Sequence, residues 1–399
     1  MSEYEKVARG SLKLKGVSEH EIKKKKKKKE KKLLEVTKVV PSDDARKQST
    51  KPANTKTKAE LAFEKMQEKR KEERIKARAG KTHKQRVEEF NRHLDSLTEH
   101  FDIPKVSAPE SRAGNVAVVT GGSCGIGLAV VKSLVQNGMH VIVGTLHPNE
   151  LEREFGDWKK RSKSLGSVDC LQLDLRSFES VGRFCDEFFK MQLPLNYLIN
   201  CAGLMLVPQS KTRDGFEVHL QVNYLSHFLL THSLYPALKE GSSLSFPSRV
   251  VNVSSCTHRF SRGKLDDFNF NAALAYADSK LFQVAATKAW DEEMRQRAGY
   301  ASSPVEFVSL HPGICSTRLY QHAWWFNEFT KACMDCILMS PEEGSQLVLR
   351  AVFDVSHGSR HGIYLESNRK ASTHPVVHQR VFRRKLWHLT RDLLRLDAD

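Results

Sequence analysis

The sequence predicts an α/β protein, a doubly wound parallel sheet of about seven strands preceded by a basic region without a core of its own. Three observations carry that expectation. Short β-branched runs alternate with longer amphipathic stretches from residue 116 onward, as a parallel sheet covered by helices requires. A glycine-rich turn joins the first run to the first stretch. The charge is also divided: residues 1–107 hold 31 Lys and Arg against 18 Asp and Glu, so only +4 of the chain's net +17 belongs to the remainder.

The first strand is Val116-Ala-Val-Val119, the turn is Thr120-Gly-Gly-Ser-Cys-Gly-Ile-Gly127 and the helix starts at Leu128-Ala-Val-Val131. Such a turn reverses at φ values that a Cβ forbids, and the N–H groups at the helix start must come close to a pyrophosphate. Gly121, Gly125 and Gly127 meet both needs, and strand–turn–helix context points to a dinucleotide site. His140–Thr145 reads as the second strand. An acidic residue at its end would select NAD and an arginine NADP; Thr145, Leu146 and His147 are neither, with Arg153 and Lys159 following on the next helix. Val168–Leu173 is the third strand, ending in Asp174, which is placed to cap the following helix. Leu195–Asn200 is the fourth and leads into Cys201-Ala-Gly203. Lys211–Glu217 is expected to open a helix that carries Val222–Thr231, with Asn223 near its start.

Arg249–Val253 is the fifth strand, with Ser254-Ser255 at its C-terminal end, where ligands bind in open α/β sheets. Tyr276 and Lys280 follow, four apart and therefore on one helix face. A free tyrosine has a pKa of about 10 and is a poor base at neutral pH; an adjacent ammonium favours its phenolate. Val305–Leu310 is the sixth strand, and Pro312-Gly313 turns the chain back over the site. Residues 318–339 are rich in Leu, Tyr, Trp, Phe and Met, which suits either core or a lid over a lipophilic substrate.

The eight cysteines all lie after residue 123, scattered through apolar segments, a pattern of reduced, buried thiols rather than a disulfide framework. Cys333-Met-Asp-Cys336 lacks the second pair that would complete a zinc centre, so no metal is expected. No signal peptide is visible, and no apolar run is long enough to span a bilayer. Lys23–Lys29 is an unbroken lysine run, which self-repulsion should keep solvated; it suits nuclear import or contact with nucleic-acid phosphates. The division expected is a basic disordered segment at 1–58, a charged helical segment at 59–107 and an enzyme domain at 108–399.

These motifs together resemble the short-chain dehydrogenase/reductase superfamily, which has a Rossmann-type sheet. The resemblance implies an NAD- or NADP-dependent oxidoreductase with Asn223, Ser255, Tyr276 and Lys280 as its catalytic tetrad: Tyr276 exchanging the proton, Lys280 holding the nicotinamide ribose, Ser255 bonding the substrate oxygen and Asn223 anchoring a water relay. It places Gly121, Ser123, Gly125, Ile126, Gly127, Asp174, Asn200, Ala202, Gly203, Tyr276, Lys280, Pro312, Gly313 and Thr317 beside the cofactor, Asp174 at the adenine. Cys201 departs from the family's N-N-A-G. Met205–Glu217, Asn223–Thr231 and Arg318–Trp324 resemble the branch of X-linked dehydrogenase/reductase and retinol-dehydrogenase-like enzymes. That branch implies a long-chain isoprenoid alcohol or aldehyde (polyprenol, dolichal), or a retinoid or steroid, and membrane association at the endoplasmic reticulum, with contact through 318–339. Ser11–Gly16, Ala62–Arg70 and Lys81–Asp95 resemble a second family, the small basic nuclear "family with sequence similarity 32, member A". It implies a nuclear location and spliceosome or RNA contact through 1–107, in a chain that joins two separate proteins by genuine fusion or by an erroneous gene model.

Overall fold

The computed structural model describes residues 113–162, 164–243, 246–265, 271–297, 304–322, 338–353 and 362–396. The expectations for residues 1–107, for Cys333 and Cys336, and for most of the 318–339 stretch lie outside the described residues.

Eight strands form one sheet in the order β3-β2-β1-β4-β5-β6-β7-β8: β1 (Val116–Thr120), β2 (His140–Thr145), β3 (Ser167–Gln172), β4 (Tyr197–Asn200), β5 (Ser248–Val253), β6 (Val305–His311), β7 (Ile363–Glu366) and β8 (Arg369–Lys370). The first seven pair in parallel, and β8 adds a short antiparallel edge to β7. Among the described residues, seven helices connect and cover them: α1 (Gly125–Gln136), α2 (Pro148–Ser162), α3 (Phe178–Lys190), α4 (Ser226–Glu240), α5 (Ala272–Arg297), α6 (Pro341–Phe353) and α7 (Arg380–Leu393). Because side chains alternate along a strand, each strand feeds two cores. Val116 and Val118 pack in the layer with α3, α4, α5 and α7; Ala117 and Val119 pack with α1, α2 and α6.

The order reverses between β1 and β4, both parallel neighbours, so a crevice opens at their C-terminal ends, the position at which open α/β sheets bind ligands. Thr120 and Asn200 face each other there in register. At the opposite ends, Arg249 on β5 pairs with Glu306 on β6 and donates to the Ala351 and Val352 carbonyls near the C-terminus of α6. Those are helix-terminal acceptors that a cation satisfies well.

Two local expectations are corrected. Asp174 does not cap α3. Ser177 does, accepting from the Ser180 N–H, while Asp174 accepts from the Arg176 N–H at 2.9 Å and pairs with its guanidinium. Lys211–Glu217 does not open a helix either: Lys211 and Glu217 face each other in an antiparallel bridge around Gly215, whose φ is +87°. The helix starts instead with a turn of π-helix, Leu220–Leu225, that runs straight into α4. The expected count of about seven parallel strands is met by β7, which carries no motif to place it in the sequence, and α7 likewise has none.

Candidate active site

The glycine turn is as tight as its composition implies. Gly121 sits at φ +69°, where a Cβ would lie 2.8 Å from the Ala202 Cα, and a Cβ on Gly127 would lie 2.2 Å from the Gly121 carbonyl oxygen. The turn after β1 and the turn after β4 can therefore touch only because these side chains are missing. Cys124, the N-cap of α1, is extended and contributes no side-chain cap, and the first turn of α1 has no acidic residue. Its leading N–H groups are left to an anionic ligand. Thr317 packs its methyl 3.3 Å from where a Gly125 Cβ would be, and its hydroxyl accepts from the Leu319 N–H, starting a short 3-10 turn. Gly313, at φ +85°, has Met339 over it.

Thr120 and His227 are the residues that sequence reasoning missed. The Thr120 hydroxyl oxygen accepts from both the Cys201 and the Ala202 N–H, at 3.0 and 3.1 Å, and lies 2.9 Å from His227 Nε2. His227 Nδ1 lies 3.1 Å from the Asn223 carbonyl. Burial pushes the His227 pKa down to about 4, so the ring is neutral at pH 7 and carries one proton. That proton must be on Nδ1, because the carbonyl can only accept. Nε2 then accepts from Thr120, whose lone pairs serve the two N–H groups. This chain holds the β4 turn through backbone, which explains how Cys201 can replace the family's second Asn without loss of support.

Two members of the predicted tetrad meet beside Gly203, where a Cβ would find Asn223 Oδ1 at 3.4 Å and Lys280 Nζ at 3.5 Å. Asn223 is fully buried. Its amide donates to the Leu204 carbonyl at 3.0 Å and to Ser279 Oγ at 2.9 Å, and accepts from the Leu204 N–H at 2.8 Å. Both of its N–H donors are thus used, so a water could be held only through remaining lone pairs. Lys280 Nζ donates to the Val253 carbonyl at 2.9 Å and to Gln283 Oε1 at 3.0 Å, leaving one ammonium N–H. Desolvation lowers its pKa to about 8.

Tyr276 stands one turn before Lys280, whose ammonium is 5.8 Å from the phenol ring centroid. Burial raises the Tyr276 pKa, and the Ser255 side chain facing it pulls the other way. The ammonium alone does not bring the phenol toward neutrality in this state. Ser255 is the cap of the 3-10 turn Cys256–Phe260, its Oγ accepting from the Thr257 N–H at 3.2 Å. Asn200 donates to Asn252 Oδ1 at 2.8 Å, and Asn252 in turn to Thr287 Oγ1 at 3.0 Å, a buried polar line that ties β4 and β5 to the tyrosine helix. Ser123 and Ile126 lie on the glycine turn, Ser123 exposed; Asp174 lies just beyond β3, on the side that follows β2.

The family model for short chain dehydrogenase matches residues 115–325. The chain belongs to that family. Human polyprenol dehydrogenase is 34% identical over 281 residues, covering 69% of this chain and 84% of that protein. Human retinol dehydrogenase 11 is 34% identical over 298 residues, covering 72% and 87%. A crystal structure of an uncharacterised protein from Mycobacterium paratuberculosis superposes with a TM-score of 0.55 at 27% identity, covering 73% of this chain and 96% of that one. Separately, the FAM32A family model matches residues 3–73.

This short-chain dehydrogenase is accordingly an NAD(P)-dependent oxidoreductase. The residues present fit a nicotinamide dinucleotide: an uncapped helix start behind a glycine turn with no room for a Cβ at Gly121 or Gly127, and Lys280 Nζ beside Gly203 with one N–H left. The end of β2 adds no carboxylate or guanidinium; Thr145 accepts there from the His147 N–H, and the Arg153 Nε is spent on the Asn149 carbonyl. Among the described residues, no helix is long and apolar enough to cross a membrane.

Proposed function

We propose that the chain interconverts a lipophilic alcohol and its aldehyde, of the polyprenol or dolichal kind, and that Asn223, Ser255, Tyr276 and Lys280 carry the reaction. The observation that supports this most is that Asn223 and Lys280 meet beside Gly203, with Tyr276 against Lys280 and Ser255 facing Tyr276. A bound nicotinamide supplies or accepts the hydride. Tyr276 passes the hydroxyl proton, and the Ser255 hydroxyl holds the substrate oxygen. Lys280 has one N–H left for a ribose hydroxyl. Because burial holds the phenol up, the positive charge of an oxidised ring, added to the ammonium, is what would favour the phenolate. Asn223 fixes the Gly203–Leu204 backbone and leaves a relay water to its lone pairs. The proposed cofactor contacts remain those named above from Gly121 to Thr317, with Asp174 toward the adenine.

The isoprenoid substrate is favoured by the likeness to polyprenol dehydrogenase, and the retinoid alternative by that to retinol dehydrogenase 11. Purified full-length protein supplied with NAD or NADP and, in turn, a polyprenol, a retinol and a hydroxysteroid tests the order. Fastest turnover of the polyprenol is expected; turnover of only the retinol or the steroid would overturn the substrate reading.

A second reading applies to residues 1–107. The FAM32A match and the Lys23–Lys29 run support RNA contact through phosphates and a nuclear location for this part, with segments dividing near 58 and 107. RNA affinity should fall steeply as salt rises; a flat salt dependence would remove that reading. The enzyme part, by its likeness, would favour a membrane surface.

A further inference from the structure

Three side chains from separate elements converge one strand beyond Ser255. Cys256 opens the 3-10 turn after β5, His311 ends β6 and Glu366 ends β7. One ligand atom from each, a thiol sulfur, an imidazole nitrogen and a carboxylate oxygen, lies within 4.8 Å of the other two. His311 and Glu366 are direct partners in the β6–β7 register, so the two side chains leave the sheet on the same side.

Several polar atoms in this corner are buried without a hydrogen-bond partner. His311 is only 9% exposed and its Nδ1 has none. His258 is fully buried; its Nδ1 lies 2.7 Å from the Ser255 carbonyl and so carries the proton, leaving Nε2 as a bare lone pair, also unpartnered. The Tyr364 hydroxyl, on a ring packed 4.7 Å from that of His258, is the third. Each such atom destabilises the fold unless something satisfies it. Two of the three are imidazole nitrogens, which bind a proton donor or a cation.

We propose that Cys256, His311 and Glu366 form a binding site for a divalent transition-metal ion of the zinc class. Sulfur with nitrogen and oxygen is a donor set that suits zinc or cobalt and disfavours magnesium and calcium. Bonds of about 2.0–2.3 Å put ligand atoms of a tetrahedral centre roughly 3.3–3.7 Å apart, so the three need close by only about 1 Å. The thiolate and the neutral imidazole are the forms that ligate a metal, so binding must release the Cys256 thiol proton. Glu366 is shared with Arg259: Oε2 takes Nη2 at 2.5 Å, while Oε1 has only a 3.4 Å contact and is the oxygen left for the ion. With the thiolate at −1, the carboxylate at −1 and the guanidinium at +1, the prepared site is net negative. No local spacing announces it, because its ligands stand at 256, 311 and 366.

Cobalt titrated into metal-free full-length protein tests the site, since a thiolate on cobalt gives a charge-transfer band in the near ultraviolet. A saturable, stoichiometric band is expected, displaced by zinc. It should vanish in Cys256→Ser and survive in the Cys333→Ser/Cys336→Ser double variant. His311→Gln and Glu366→Gln should weaken cobalt binding by more than the about 10–100-fold typical of losing an outer partner. Circular dichroism on each variant separates lost binding from lost fold. Absence of a band in the natural chain, its survival in Cys256→Ser, or its loss with Cys333 and Cys336 would overturn the proposal.

Discussion

Phe307 and Val308 are neighbours on β6, yet they face layers of different chemistry. Phe307 stacks on Trp290 with centroids 5.5 Å apart, and Trp290 meets Trp387 edge-on at 4.8 Å and Phe228 at 5.0 Å. Val308 sits in a layer made mostly of Val, Leu and Ala, with Phe155, Tyr197 and Phe353 as its buried rings. The aliphatic layer backs the glycine turn, which needs a rigid support but no oriented side chain. The aromatic layer backs Asn223, Tyr276 and Lys280, on the helices that carry Phe228, Phe282 and Trp290. Flat rings admit fewer arrangements than methyl groups do, and they are accompanied here by directional links such as Tyr224 to Thr390 at 2.6 Å, which pins α7 beside the π-turn. The difference teaches that this sheet holds a cofactor turn by shape on one side and orients reactive groups by rings and hydrogen bonds on the other.

A single methyl breaks the shape-held side. Gly127→Ala places a methyl 2.2 Å from the Gly121 carbonyl, where backbone must move. Cofactor affinity, read by tryptophan quenching with NADH or NADPH, should fall by about 5- to 150-fold, as a strain of about 1–3 kcal/mol implies. Unchanged affinity would mean that the turn is not the cofactor site. Next, Phe307→Ala should cost about 3–5 kcal/mol in denaturant unfolding. Val308→Ala, one residue on, should cost only about 1.5 kcal/mol at about 0.8 kcal/mol per buried methylene. Equal losses would erase the distinction between the layers.

Between those two in size is a pH effect of about 2 kcal/mol from His227. Its pKa is about 4 in the fold against 6.5 unfolded, so below pH 6.5 the unfolded chain takes up a proton that the fold refuses. Stability should therefore fall as pH drops from 6.5 to about 4 and level off below, losing about 2 kcal/mol at pH 5 from this ring. His227→Leu, though less stable at pH 7, should lose that much less on going to pH 5. An unaltered pH slope would contradict the neutral, Thr120-bound ring.

What the sequence made legible follows the same division. β1 and β2 carry uninterrupted apolar runs and a turn whose glycines have no alternative, so their positions were read almost to the residue. β7 is four residues long and has no flanking motif; only the tertiary pairing with β6 makes it a strand. Asp174 was read as a cap because acidic caps are common, but Ser177, three residues on, stands at the true helix start. The π-turn at Leu220–Leu225 has no periodicity of its own to betray it. Tyr276, Lys280, Ser255 and Asn223 stand out in the sequence by their resemblance to a family's spacing, whereas Thr120 and His227 meet only through the fold, 107 residues apart, and leave no local trace.

Tyr276 is the group proposed to move the proton while others hold the cofactor, and Tyr276→Phe separates the two in one experiment. Cofactor affinity and single-turnover hydride transfer, measured on the same preparation, should diverge: binding nearly unchanged, transfer slowed by about 10²–10⁴-fold. Transfer at close to the natural rate would contradict the assignment.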